Sequence, residues 1–522
     1  MNSDILAKLM SITDASQHGI DQTLKAMSAL VDVASDRGSL DGLRHAVAML
    51  DRMTKEPLSE EQKAHLHYFR GNAFAATRTL TRTGNPSDWD WHQEEFEQEV
   101  TSLRIAAKAA ARAGLPAVVQ CPILTNLGNA LNYVGRFVEA VAWWDAALAM
   151  DAEFAMAQGN KGYGLFHYAK ALYDDGHVAI FLKRARDHLI AGIDKGVEDG
   201  PRSVFGRTLE TITKMFPPGF VEHPFETENF PMGRTKGEIR YREWCLRNHL
   251  FLNPLNDLGP YPIAARDVFS VPSIVVPIGE GPCYYGLFNQ MKQEFVSARF
   301  MYYEGVSAER PHFSDRDVLL FDTLDYPCYA LSVEKQKLAF RAAYSLFDKI
   351  AFFLNHYLSL RIPENRVGFR SLWYNKRDKS RGLRPEFVSR DNWPLRGLFW
   401  LAKDLYEDAT GFQTALDPDA SRLAKIRNYA EHKYLKVHDR MWSGPCDQND
   451  PARRAIVDTL AFSVYREELA ESCMRMLRLA RAALIYLSLG IHAEERRRAS
   501  QRPQEHRIGT SPLSSWPDEW KR

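Results

Sequence analysis

The run Arg427-Asn428-Tyr429-Ala430-Glu431-His432-Lys433-Tyr434 holds an Arg and a His with four residues between them. These types suit the cutting of RNA without a metal. In that reaction the 2′-oxygen bonds to the adjacent phosphorus and the bond to the 5′-oxygen breaks. A base takes the proton of the 2′-hydroxyl, and an acid protonates the leaving oxygen. Imidazole, with an ordinary pKa of about 6.5, does either near neutrality. The phosphorus centre gathers negative charge, which a forked, always-charged guanidinium stabilises. A plainer reading stands beside this one: Arg427 and Glu431 are i,i+4, the spacing of a surface ion pair worth roughly a few tenths of a kcal/mol. Arg242 and His249 offer a rival pair at a longer gap.

The element that must position these groups is a helix expected over residues 419–441. Ser421 is its candidate N-cap, Leu423, Ile426, Ala430 and Tyr434 carry its apolar spacing, and Ser443-Gly444-Pro445 stops it. At about 100° per residue, Arg427 and His432 stand roughly 140° apart around such a helix. Asn428 and His432 share a face, so Asn428 is placed to orient the imidazole. The poor alignment of Arg427 and His432 points to a composite site built where two copies meet.

Arg427, the adjacent Asn428 and His432, on a late helix of a C-terminal helical block, resemble the signature of HEPN (higher eukaryotes and prokaryotes nucleotide-binding) domains. Many members of that family are metal-independent ribonucleases that act as homodimers. The resemblance implies an endoribonuclease with Arg427, His432, Asn428 and Asp348 as catalytic residues, no cofactor and products ending in 2′,3′-cyclic phosphate. Asp348 enters as the orienting group from another helix, with Asn355 second; a carboxylate paired with Lys349 or Arg341 is the alternative. Some HEPN toxins are modified by AMP on a Tyr after the His, where this chain has Tyr434. HEPN domains joined to helical arrays occur in bacterial defence and toxin systems, which implies RNA cut under stress or phage attack.

Composition narrows the class. The 522 residues are long enough for two or more domains, and 67 basic against 66 acidic residues exclude a generic polyanion binder. Any RNA site must be a local patch. The six cysteines form no C-x-x-C pair, which speaks for free thiols in a reducing compartment and against a zinc site. The first thirty residues lack a signal pattern, and no uninterrupted apolar window is long enough to span a membrane. A cytoplasmic protein with no membrane partner is expected.

The chain reads as all-α. Residues 1–215 are helix after helix. Within Cys121 to Phe154, Leu127-Gly128-Asn129-Ala130, Gly135, Phe137, Glu139-Ala140, Trp144, Ala147 and Asp151 resemble a tetratricopeptide repeat, and Gly162 follows Gly128 at that repeat's period. Such an array implies a surface for a protein partner. Residues 216–283 are Pro-rich and carry Trp244, Phe251 and Leu252, so they are expected as an ordered connector around a short helix near 236–249. Residues 284–495 form the HEPN-like bundle, with helices expected at 286–303, 332–360, 395–408, 420–441 and 452–489. The second of these shows an apolar face of Leu338, Ala342, Leu346, Ile350, Phe353, Leu354 and Tyr357. Residues 496–522 read as a flexible basic tail.

The stretch 361–396 is basic and aromatic. Arg370, Trp373, Lys376, Arg377 and Arg381 have the composition of a single-stranded RNA contact, cations for phosphates and rings for bases, and equally that of a loop folded onto the bundle by its aromatics. The functional expectation is therefore an endoribonuclease regulated through its array, which removal of residues 1–215 would leave folded and unregulated. The competing expectation is a non-catalytic adaptor whose HEPN-like module dimerises or binds nucleotide or RNA without turnover.

Overall fold

The computed structural model describes residues 3–13, 19–82, 90–217, 219–220, 225–321, 323–439, 458–502, 509 and 512–521. Antiparallel helix pairs build its first half: α1 (Ser3–Met10), α2 (Ile20–Asp36), α3 (Leu40–Met53), α4 (Glu60–Thr81), α5 (Glu94–Arg112), α6 (Ala117–Tyr133), α7 (Phe137–Met150), α8 (Ala155–Ala171), α9 (Asp175–Asp194) and α10 (Asp199–Lys214). The small-against-large rule of the repeat is physical. A Cβ on Gly128 of α6 would lie 2.6 Å from the Trp144 Nε1 of α7, and one on Gly162 of α8 would lie 2.8 Å from the Ala185 carbonyl of α9. Only glycine lets each pair close. The array is consistent with tetratricopeptide-like repeats.

The connector holds α11 (Lys236–Arg247) and two 3-10 turns, and it buries Phe251, Leu252 and Leu255. The second half contains α12 (Cys283–Ser307), α13 (Leu331–Tyr357), the single turn α14 (Pro385–Val388), α15 (Trp393–Ala402), α16 (Ala420–His432) and α17 (Arg466–Gln501). Among the described residues one sheet interrupts the helices: β1 (Tyr434–His438) pairs in parallel with β2 (Ala461–Tyr465), Leu435 facing Phe462 and Val437 facing Val464.

Several expectations are corrected. The helix over 419–441 stops at His432, because the chain beyond it is drawn into β1; the stop at Ser443-Gly444-Pro445 lies outside the described residues. The last long helix starts at Arg466, and the 461–465 part of the expected 452–489 helix is strand. On α13 Leu346, Ile350, Phe353, Leu354 and Tyr357 are buried as expected and Val333, Ala339, Phe340, Ala343 and Phe347 widen the core side, while Ala342 is half-buried and Leu338 faces solvent. The helix α17 runs on to Gln501, so the expected flexible tail begins inside it. This helix is long and apolar enough by composition to cross a membrane, yet its apolar stretch is buried inside the protein.

The two halves share a core. One continuous apolar cluster runs from Ala64 to Ile491, and a second, smaller one gathers Leu24 to Ala73. Backbones touch where the halves meet: a Cβ on Gly135 would lie 2.1 Å from the Trp393 carbonyl, and one on Gly397 would lie 2.0 Å from the Gly135 carbonyl. Asp404 is buried there and binds Arg104 and Arg136 of the array, with Nη1–carboxylate distances of 2.5 Å to each. Trp400 Nε1 donates to the Trp91 carbonyl at 2.9 Å, and Trp91 Nε1 donates to the Arg390 carbonyl at 3.1 Å. Burial alone would raise the Asp404 carboxyl; Arg104 and Arg136 outweigh it and hold it down to about 2. This packing argues that residues 284–495 depend on the array to fold, against the expectation that they stand without it.

Candidate functional site

The helix α16 buries Ala420, Leu423 and Ile426 and turns its last two turns outward. Arg427 Nε lies 2.8 Å from Glu431 Oε2, so the i,i+4 pair forms. His432 Nε2 lies 3.8 Å from that same oxygen, and the imidazole is 58% exposed. Because the helix ends at His432, its side chain comes round to Glu431, and Arg427 and His432 meet at one carboxylate within a single chain. No hydrogen bond joins the half-buried Asn428 to the imidazole.

The facing wall is α13. Tyr344 and Asp348 are one turn apart on it, and the Arg427 guanidinium carbon sits 5.4 Å from the centre of the Tyr344 ring. Asp348 stands on the solvent side of α13, close enough to Arg427 for the two charges to act on each other. The crowd of protein around it raises its carboxyl above the ordinary carboxylate value; the Arg427 charge and a hydrogen bond from the Phe369 backbone oppose that rise. Lys349 pairs with Glu294, so the Asp348–Lys349 alternative falls. Asn355 is buried and spent on the backbone: its Nδ2 donates to the Ile362 carbonyl at 2.8 Å and its Oδ1 accepts from the Ile362 amide at 3.0 Å. The spacing of Tyr344 and Asp348 is legible in the sequence, whereas Glu407, the next acid in this cluster, has no local signal. Burial raises Glu407 also, against the pull of Arg370.

The stretch 361–396 divides. Trp373 is fully buried, donates from Nε1 to the Phe369 carbonyl at 2.8 Å and packs on Trp91, Phe387 and Phe399. It is a core residue and offers no face to a base. Arg370 is buried as well, with Nη2 donating to the Thr414 carbonyl at 3.3 Å and its guanidinium over Phe412. Burial lowers the Arg370 guanidinium, with Glu407 opposing. Both are withdrawn as RNA contacts. Lys376 and Arg381 remain exposed and Arg377 half-buried, with Arg381 Nε 3.4 Å from Asp378.

Tyr434 opens β1, and its hydroxyl lies 3.1 Å from that of Tyr329. The rival motif is architectural. Arg242 binds Glu238 at 2.7 Å, and His249 takes a left-handed φ of 56° just past α11, with Nδ1 2.6 Å from the Asn256 carbonyl oxygen. Among the described residues no cluster of His, Cys, Asp and Glu is arranged to hold a metal ion.

Neither a curated protein nor a solved structure matches the chain. A family model does: residues 275–494 match the one described as LA2681-like HEPN. That span contains α12 to β2, most of α17, Asp348, Arg427 and His432, and it starts within the connector. Residues 275–494 of this all-α chain are thus a HEPN domain of the LA2681-like kind, set behind a tetratricopeptide-like helical array.

Proposed function

We propose that this HEPN domain is a metal-independent endoribonuclease centred on Arg427 and His432, serving as a defence or toxin effector. The observation that carries the reading is that both residues lie within the matched span and reach one carboxylate at the surface, where a phosphate can enter. His432 moves the proton, and Arg427 leaves Glu431 to bind the charge that gathers on phosphorus. Asp348 and Glu431 position the guanidinium and the imidazole.

The active form is a homodimer. Val318, Leu319, Leu320, Phe321 and Leu324 are all more than half exposed, and this strip leads to Asp325, which holds Lys436 of β1 at 2.6 Å. An exposed apolar patch beside the strand that leaves the motif helix fits a self-complementary contact. Lys376 and Arg381 extend the RNA path. Sedimentation tests the assembly: a monomer that still cuts RNA refutes the dimer.

A second reading is a non-catalytic adaptor, favoured by the engagement of the Arg427 guanidinium with Glu431 and Tyr344. Bulk RNA incubated with the purified chain separates the two. The nuclease reading expects cleavage that survives chelator, products ending in 2′,3′-cyclic phosphate, loss in His432→Ala and retention in His249→Ala. Equal cutting by all variants, or none by the wild type, favours the adaptor.

A further inference from the structure

The seam between the halves reaches the motif helix. Three charged residues of α5, Glu97, Arg104 and Lys108, stand seven and four positions apart, within about 40° of one another around the helix. They meet Lys403, Asp404 and Asp419 in the same order along the chain. Lys403 Nζ lies 2.6 Å from Glu97 Oε1, Arg104 Nη1 2.5 Å from Asp404 Oδ1, and Lys108 Nζ 2.5 Å from Asp419 Oδ1. The loop between these partners folds back, with the Leu416 amide donating to the Lys403 carbonyl at 3.0 Å. One face of an array helix thus grips the passage from the end of α15 to the start of α16.

Asp419 is the residue at the cap of α16, yet its carboxylate makes no cap bond to that helix. It stands between Lys108 of the array and Arg475 of α17, whose Nη1 lies 3.2 Å away. Arg475 also holds the buried Asp417, which accepts from the Asp419 amide at 2.8 Å. The buried residues of α16, Ala420, Leu423 and Ile426, belong to its first half, while Arg427 and His432 belong to the second. With β1 holding the far end, the direction of the helix is set at its near end. His432 is thirteen residues beyond Asp419, about 20 Å along the axis. A tilt of about 3° at the cap then carries the imidazole about 1 Å, a misplacement that can cost about 10²-fold in rate.

The contacts on this face differ in exposure. Arg104 and Asp404 are nearly dry, whereas the Lys108 and Asp419 side chains are 37% and 36% exposed, so water makes their separation cheap. The first pair is a permanent joint and the second a latch. We propose that Lys108 is a positioning residue for the Arg427/His432 site, through which the array sets the direction of α16. Closing the Lys108–Asp419 contact aligns the motif, and opening it withdraws the motif without unfolding the protein. The effect on cleavage rests on the nuclease reading; the effect on α16 does not.

Hydrogen exchange of the full-length chain, read on residues 420–432, tests the link in Lys108→Ala, Lys108→Arg and Lys108→Glu beside the wild type, with RNA cleavage measured on the same proteins. Lys108→Ala is expected to speed exchange in 420–432 and to lower kcat, each by about two- to fivefold, the most that an ion pair of this exposure can shift an equilibrium. KM for RNA, exchange in α15 and the melting temperature stay at wild-type values. Lys108→Glu, which turns attraction into repulsion, exceeds Lys108→Ala in both readouts, and Lys108→Arg restores both. A wild type that does not cut refutes the nuclease reading, and exchange in 420–432 alone then decides the link. Unchanged exchange there, faster exchange spread over the whole chain, Lys108→Arg as loose as Lys108→Ala, or an active enzyme whose kcat ignores the faster exchange overturns the proposal.

Discussion

Asp404 and Glu431 are both carboxylates beside arginines, and the chain uses them differently. Asp404 is 1% exposed, and its oxygens are taken by Arg104 and Arg136, which come from the far half of the sequence. Glu431 is 29% exposed, and its partners Arg427 and His432 are near neighbours on one helix end, both open to solvent. A buried charge without its partner is costly, so the first cluster is committed to holding the halves together. In the second cluster water compensates whichever group lets go, so Arg427 can release Glu431 at little cost. Identical residue types become architecture or chemistry according to how much water reaches them.

The sharpest way to break the contrast is to remove one side of the seam. Deleting residues 1–215 should leave an insoluble or unfolded remainder, because it strips Phe96, Phe137 and Trp144 from the shared core; a soluble fragment with native helical circular dichroism would refute the shared core. Asp404→Asn should cost about 3–5 kcal/mol in urea unfolding, by leaving buried guanidinium charge uncompensated. Its pH signature has a definite sign. The folded-state value of about 2 lies below the ordinary 3.8, so the contribution of Asp404 is complete above the ordinary value and is lost as the pH falls towards 2. The wild type should lose stability in that window more steeply than Asp404→Asn.

The motif should answer in the opposite currency. His432→Ala should lower RNA cleavage by about 10²–10⁴-fold while shifting stability by less than about 0.5 kcal/mol. Arg427→Lys should not restore what Arg427→Ala loses, since an ammonium cannot reproduce the fork; single-turnover cleavage assays read both. A large stability loss in His432→Ala would erase the distinction between the clusters. The smallest effects belong to the exposed loop: Lys376→Ala and Arg381→Ala should leave unfolding within about 0.5 kcal/mol of wild type and weaken RNA binding in a filter assay, more at low salt than at high.

Local pattern carried much of this protein into view. The small-large pairing of Gly128 with Trp144, the 3–4 spacing of the long helices and the Arg/His motif are short-range features, readable because helix geometry brings i and i+4 together whatever lies elsewhere. The sequence also placed Asp348 near Arg427, though only through the family resemblance. Other features were decided by partners distant in the chain. The helix carrying His432 ends where β1 pairs with residues 461–465, and no periodicity within 419–441 announces that partner. Trp373 and Arg370 have the composition of an RNA contact and became core because Trp91, Phe399 and Phe412 close over them. Asp404 joins Arg104 across a sequence separation of 300 residues. Burial is a property of the assembled neighbours, and whether a cation or an aromatic ring is a tool or a strut depends on it.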